Sequence, residues 1–174
     1  LSVTAVDLDP VRAWMTGRNA GCASIAADAA DPSLPPGAFH LDPARRTEDS
    51  GHRLWQIDDH RPGPSAWRAI VERRRDGAIK LGPGLDIAAA CRVLPPGTPH
   101  EIEMISEQGR LTQGVLWVGR LAAGRAGART ATLLDSGGGA TTLTAAPGDL
   151  KPEPIGPLRR YLIECDASIE RAAL

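Results

Sequence analysis

The sequence predicts an α/β fold with a Rossmann-like open sheet and terminal antiparallel hairpins, and three short segments carry that prediction. Val3 to Asp7, Cys22 to Asp28 and Ala38 to Asp42 are brief, largely apolar runs, each ending in an aspartate. Strands of an open α/β sheet present carboxylates in this way to a nucleotide lying across their carboxyl ends. With three such strands in the first 42 residues, a nucleotide-binding sheet is the expected architecture.

Residues 2 to 7 form the first strand. Asp9-Pro10 supplies an N-cap followed by proline at the first helical position, an arrangement worth about 1 kcal/mol to a helix start. Val11, Trp14 and Met15 share one face of a helix running to about Asn19, and Gly21 stops it. Cys22 to Ala27 is the second strand. Pro32, Pro35, Pro36 and Gly37 make an irregular loop before the third strand, Ala38 to Leu41. From Arg45 to Pro64 the chain is polar, without a sustained period. Long irregular segments after a strand tip are commonly functional.

Ser65 is placed to cap a helix through Arg75, with Trp67, Ile70 and Val71 inward. Gly77 to Leu81 reads as a fourth strand closed by Gly82-Pro-Gly84, and Leu85 to Cys91 as a short helix. Glu101 to Ser106 and Leu111 to Val118 alternate as an antiparallel pair around Glu107-Gln-Gly-Arg110. Thr130 to Leu134 and Ala140 to Ala145 form a further hairpin across Gly137-Gly-Gly139. The proline-rich stretch 147–157 reads as a linker, after which Leu158 to Ile163 and a helix from about Ala167 begin something new. Leu1 leads directly into a strand without an initiator Met, and Ala172-Ala-Leu174 falls within a helical pattern. The expectation is a piece of a longer protein.

Composition narrows the classes. The formal net charge of the 174 residues is -1, so no global basic field advertises nucleic acid. Lys80 and Lys151 are the only lysines in an arginine-rich chain, a bias that a high-GC genome explains. Cys22, Cys91 and Cys165 are widely spaced and odd in number, which supports neither a disulfide framework nor a zinc site. A reducing cytoplasm is the expected location. No apolar run approaches the roughly twenty residues of a membrane span, so no membrane partner is expected. His40, His52, His60 and His100 lack ligand spacing, so no metal site is predicted. The pattern sets no oligomeric state.

Asp7 stands where a carboxylate accepts both ribose hydroxyls of a nucleoside, with Leu8 beside it. The alternative is an acid that ends a strand in a turn. Asp28, with Ala29, is placed to accept from an adenine amino group, or else only initiates the turn to Pro32. Asp42-Pro43 is the sharpest signal: a carboxylate and adjacent carbonyl that accept from a target amino group orient its lone pair toward an electrophile. Arg45 and Arg46 either clamp a phosphate or carboxylate, or pair at the surface with Glu48 and Asp49. Arg53 belongs to the same arginine-bearing segment, and Trp55 is placed there to stack a base. Arg73-Arg-Arg75 reads as a solvated helix end, and Trp14, Trp67 and Trp117 as core.

The segments Val6-Asp-Leu-Asp-Pro-Val-Arg12 with Asn19-Ala20, Asp42-Pro-Ala-Arg-Arg46, Lys80-Leu-Gly-Pro-Gly84, Glu103-Met-Ile-Ser106 with Gly109, and Val115-Leu-Trp117 resemble the bacterial class I S-adenosylmethionine methyltransferases that carry a C-terminal THUMP-like domain. Arg160 to Leu174 looks like the opening of that domain. The resemblance implies a class I methyltransferase sheet lacking its first strand and glycine-rich turn. It divides the chain into a partial methyltransferase domain at 1–146, a linker at 147–157 and the start of a THUMP-like domain at 158–174. It further implies S-adenosylmethionine as cofactor, held by Asp7, Leu8, Asp28 and Ala29, with Asp42 and Pro43 at the reacting centre. N-methylation of an RNA base is the implied reaction, with Arg45, Arg46, Arg53 and Trp55 on the substrate. On this reading the piece alone is inactive.

A more distant similarity is to trimethylguanosine synthase, through Asp7 to Val11 and the hairpin from Glu101 to Leu121. That family's Pro-Pro-Trp is absent, since Ala44 and Arg45 follow Asp42-Pro43. This departure motivates an alternative: a catalytically inactive methyltransferase-like module that binds RNA or serves assembly. A nicotinamide-dependent oxidoreductase also fits Asp7, but Asp42-Pro43 and the terminal hairpin argue against it.

Overall fold

Asp9 starts the first helix as its sequence suggests. Its side chain accepts from the backbone N–H of Val11 at 2.7 Å and of Arg12 at 3.2 Å, and Pro10 occupies the first turn. In the computed structural model, which describes residues 2–44, 56–84, 86–122, 127–146 and 166–172, this helix (α1, Pro10–Ala20) links two parallel strands, β1 (Thr4–Asp7) and β2 (Ala23–Ala26). Gly21, at φ 62°, closes it in the left-handed conformation. Ala13 is the buried residue of α1, while Trp14 is 64% exposed and Val11 and Met15 also lie open. The expectation that Trp14 is core is therefore corrected: the apolar stripe of α1 has no cover among the described residues.

A second, larger sheet follows. The remaining strands are β3 (Phe39–Leu41), β4 (Gly77–Leu81), β5 (His100–Glu107), β6 (Arg110–Val118), β7 (Ala128–Leu134) and β8 (Ala140–Ala145), in the spatial order β3-β4-β6-β5-β7-β8. β3 runs parallel to β4 and β5 to β7, whereas the β4–β6, β5–β6 and β7–β8 pairs are antiparallel. The protein is thus a mixed α/β structure built on a multi-stranded sheet. Among the described residues no ladder joins β1 or β2 to β3, so the outer edges of β1 and β3 are open.

Alternation along the strands sends Leu41, Ile79, Leu116, Ile102, Met104 and Ala131 to one face, where α2 (Pro64–Arg74) contributes Trp67, Ile70 and Val71 and α3 (Ile87–Val93) contributes Ala90. The inward placement of Trp67 holds, at 0% exposure. A short helix, α4 (Ala167–Ala172), lies against β5 and β7 and buries Ala172 in the same core. The ring of Phe39 packs against its register partner Gly77, where a Cβ would collide with it. The hairpin at Glu107 to Arg110 turns through Gln108 and Gly109, both at positive φ.

Several boundaries shift. Gly63, not Ser65, is the N-cap of α2 and gives no side-chain bond, because Pro64 already supplies the helical φ at the first turn. The short helix expected over Leu85 to Cys91 starts later, at Ile87, because Asp86 caps it through the Ala89 N–H at 3.0 Å. Arg73 and Arg74 do more than solvate a helix end: they donate to the carbonyls of Ala30 at 2.9 Å and Pro35 at 2.5 Å, tying α2 to the loop after β2. Trp117 is half-buried rather than core. It lies on the opposite face of the sheet from Leu116 and donates from Nε1 to Glu103 Oε2 at 2.7 Å. No helix among the described residues is long and apolar enough to cross a membrane.

Candidate functional site

The pairing of β1 with β2 puts Asp7 opposite Ala26, so Asp7 and Asp28 sit at the carboxyl ends of neighbouring parallel strands. Each uses one carboxylate oxygen to shape its own turn. Asp7 Oδ1 accepts from the Asp9 N–H at 2.9 Å and Asp28 Oδ1 from the Ala30 N–H at 2.8 Å. The turn-forming role weighed for Asp28 is thus real, yet it consumes one oxygen only. Oδ2 of each remains without a hydrogen-bond partner among the described residues. Leu8 beside Asp7 is strongly exposed and Ala29 is partly buried against the main core.

Asp42 follows β3 directly. β3 pairs with β4 through Leu41 and Ile79, and one residue further on Lys80 donates from Nζ to Asp42 Oδ2 at 3.0 Å. Both side chains are partly exposed. Pro43 is buried, and Ala44 exchanges backbone hydrogen bonds with Arg61 at 2.7 and 3.2 Å, a bridge that closes the excursion from 45 to 60. The base of that excursion is anchored by the short helical turn Ile57–Asp59 and by buried Ile57 and His60. The ring of His60 lies 5.9 Å from that of Trp67. Arg45, Arg46, Arg53 and Trp55 lie outside the described residues.

The structure therefore brings Asp7 to Asp28 on one sheet and Asp42 to Lys80 on the other. Lys80 was not singled out as a site residue, although one signal was available: it is one of the chain's two lysines. Sequence reasoning also missed a polar ladder on the face of the large sheet that looks away from the core. There Thr130 donates to buried Glu101, Thr132 donates to Glu103 at 2.5 Å, and Thr144 and Thr142 lie across β8 at 3.0 and 3.3 Å from Thr130 and Thr132. The alternating glutamates and threonines of β5, β7 and β8 were its signal.

The electrostatics separate structural acids from open ones. Hydrogen bonds from Ser33 hold Asp31 below the ordinary carboxylate range, and Arg120 does the same for Asp76 through a side-chain bond at 2.7 Å and a backbone bond at 2.9 Å. Ser168 lowers Asp166 at the start of α4. Burial pushes the Cys91 thiol up, which leaves it a poor nucleophile.

Asp7 and Asp28 at the ends of neighbouring parallel strands and, on the other sheet, the Lys80-paired Asp42 after β3 each present a carboxylate oxygen that can accept a hydrogen bond from a polar ligand. No family model matches the chain. Over its whole length it is similar, at 34% identity across 185 aligned residues, to an uncharacterized S-adenosylmethionine-dependent methyltransferase of Mycobacterium tuberculosis strain CDC 1551. It shows the same identity and coverage with the protein so described from strain H37Rv. The chain spans about half the length of these relatives, 47%.

Proposed function

We propose that the protein is an S-adenosylmethionine-dependent methyltransferase. One observation carries the reading: Asp7 and Asp28 end adjacent parallel strands with a carboxylate oxygen each to spare, in a chain similar throughout to proteins so described. The donor set fits the nucleoside part of that cofactor. Carboxylate acceptors suit its ribose hydroxyls and adenine amino group, and a charged acceptor bonds a hydroxyl about twice as strongly as a neutral one. Leu8 and Ala29 flank the same tips. The cofactor supplies an electrophilic methyl group.

The chain's own residues hold the acceptor. Asp42 and the Pro43 carbonyl accept from a target nitrogen and fix the direction of its lone pair, while Arg45, Arg46, Arg53 and Trp55 grip an RNA substrate through phosphate pairing and base stacking. The Rossmann-like class I arrangement fits the two open strand edges: one further parallel strand between β1 and β3 would join the sheets. With that arrangement go the proposed division at 1–146, 147–157 and 158–174, the likeness to THUMP-like methyltransferases and, more distantly, to trimethylguanosine synthase. A reducing cytoplasmic setting is proposed with it, in keeping with the free thiols of Cys22 and Cys91.

The test uses the full-length protein, tritiated S-adenosylmethionine and bulk RNA. Methyl transfer is expected, and Asp42→Ala is expected to lower it by at least about a hundredfold while leaving cofactor affinity within a few-fold, because its hydrogen bond strengthens as the target nitrogen becomes positive. Full activity in the variant would overturn the assignment of Asp42.

A further inference from the structure

The partner of Asp42 bears on which acceptors the site takes. Lys80 reaches Asp42 from the neighbouring parallel strand and occupies one carboxylate oxygen, Oδ2, at 3.0 Å. Oδ1 has no hydrogen-bond partner among the described residues. One oxygen is anchored and the other is open to accept from a substrate. Lys80 sits in β4 beside Val115 of β6, itself opposite Glu103 of β5, so its stem rises from a regular strand and not from a mobile loop.

Stability gives little reason for the pair. Both side chains are partly exposed, at 32% for Lys80 and 49% for Asp42, and exposed ion pairs contribute little to folding. The chain otherwise uses arginine almost throughout. A guanidinium tends to engage both oxygens of a carboxylate in a fork, whereas an ammonium is a compact point donor. A lysine here leaves Oδ1 open.

We infer that Lys80 is a positioning and charge-balancing residue that holds Asp42 by one oxygen and selects an uncharged nitrogen as the methyl acceptor. The inference rests on the methyltransferase reading. A lone Asp42 carboxylate would attract protonated alkylamines, such as a lysine side chain or a polyamine. With Lys80 bound to it the pair is electrically neutral, and an incoming ammonium meets a like charge already in place. A neutral amino or amide N–H, which asks only for an acceptor lone pair, loses nothing by the presence of Lys80.

Calorimetry on the full-length protein, comparing S-adenosylmethionine with S-adenosylhomocysteine, tests this without a methyl acceptor. The two ligands differ by one methyl group and by the positive charge that it places on sulfur. At the reacting centre, Lys80→Met leaves Asp42 unbalanced and should raise the preference for the charged ligand by about three- to tenfold, the range for one unit charge in partly solvated surroundings. Asp42→Asn should lower it, by no more than a few-fold, and the double variant should return close to the parent ratio. Lys80→Arg should keep the parent ratio, since the charge is retained. Unchanged ratios in both single variants, with both ligands bound, would overturn the inference and leave the methyltransferase reading standing. If neither ligand binds the parent, the reading fails and the inference fails with it.

Discussion

The two sheets of this molecule solve different problems. In the larger one, β4, β5, β6 and β7 bury an apolar face under α2, α3 and α4, with Trp67, Ile79 and Leu116 fully enclosed. In the smaller one, β1 and β2 carry two candidate ligand-binding acids but little core, and α1 buries Ala13 while Trp14 stays open. Apolar burial stabilises by roughly 25 cal/mol per Å², so the large sheet supplies most of the stability. The contrast teaches that, whereas Asp42 is held by the well-packed sheet through Lys80, the two acids proposed for the nucleoside, Asp7 and Asp28, stand on the least self-sufficient part of the fold. That part is fastened through its caps and through the bonds of Arg73 and Arg74 to Ala30 and Pro35.

Core truncation should break the contrast most strongly. Leu116→Ala is expected to cost about 2 to 5 kcal/mol, the range for emptying a well-packed leucine site, whereas Trp14→Ala should change stability by no more than about 0.5 kcal/mol, as for an exposed residue. Urea unfolding of both variants reads the difference directly, and a large loss at Trp14 would mean that its face is covered in the intact protein. A smaller effect is expected from Asp9→Ala. Losing a cap that serves two N–H groups should cost about 1 kcal/mol, and local hydrogen exchange should rise in the first turn of α1 while β6 keeps its protection.

Acid should act more gently and on both regions. Asp31 and Asp76 are held below their ordinary value of 3.8 by Ser33 and Arg120. Their contribution is therefore complete above that value and is lost as the pH falls below it toward the folded-state pKa. Urea midpoints followed downward from neutral pH should stay level while Asp31 and Asp76 remain ionised and then decline below about pH 4. Asp76→Asn should flatten part of that decline. An unaltered acid profile in this variant would show that the Arg120 pair carries none of it.

The sequence showed the local features and left the juxtapositions hidden. Asp9-Pro10 and Gly21 announce α1 because caps are local, and the alternation of β5 and β6 around Gln108-Gly109 marks their hairpin for the same reason. Trp14 was misplaced because amphipathic spacing reports which residues share a face, and only tertiary packing decides whether that face is covered. The sequence places Trp117 in the core, whereas it is half-buried, since period two does not say which side of a sheet is apolar. The Lys80–Asp42 pair depends on the register of β3 against β4 across 38 residues. Such long-range register is invisible in local pattern, although a rare lysine at a strand tip pointed toward it.

The central claim is that Asp7, at the tip of β1, binds the nucleoside of S-adenosylmethionine, and titration calorimetry of the full-length protein tests it most directly. The parent should bind the cofactor, and Asp7→Ala should weaken it by roughly 1.5 to 3 kcal/mol, the range for losing hydrogen bonds to a charged group. Affinity in the variant equal to that of the parent would contradict the account and remove Asp7 from the site.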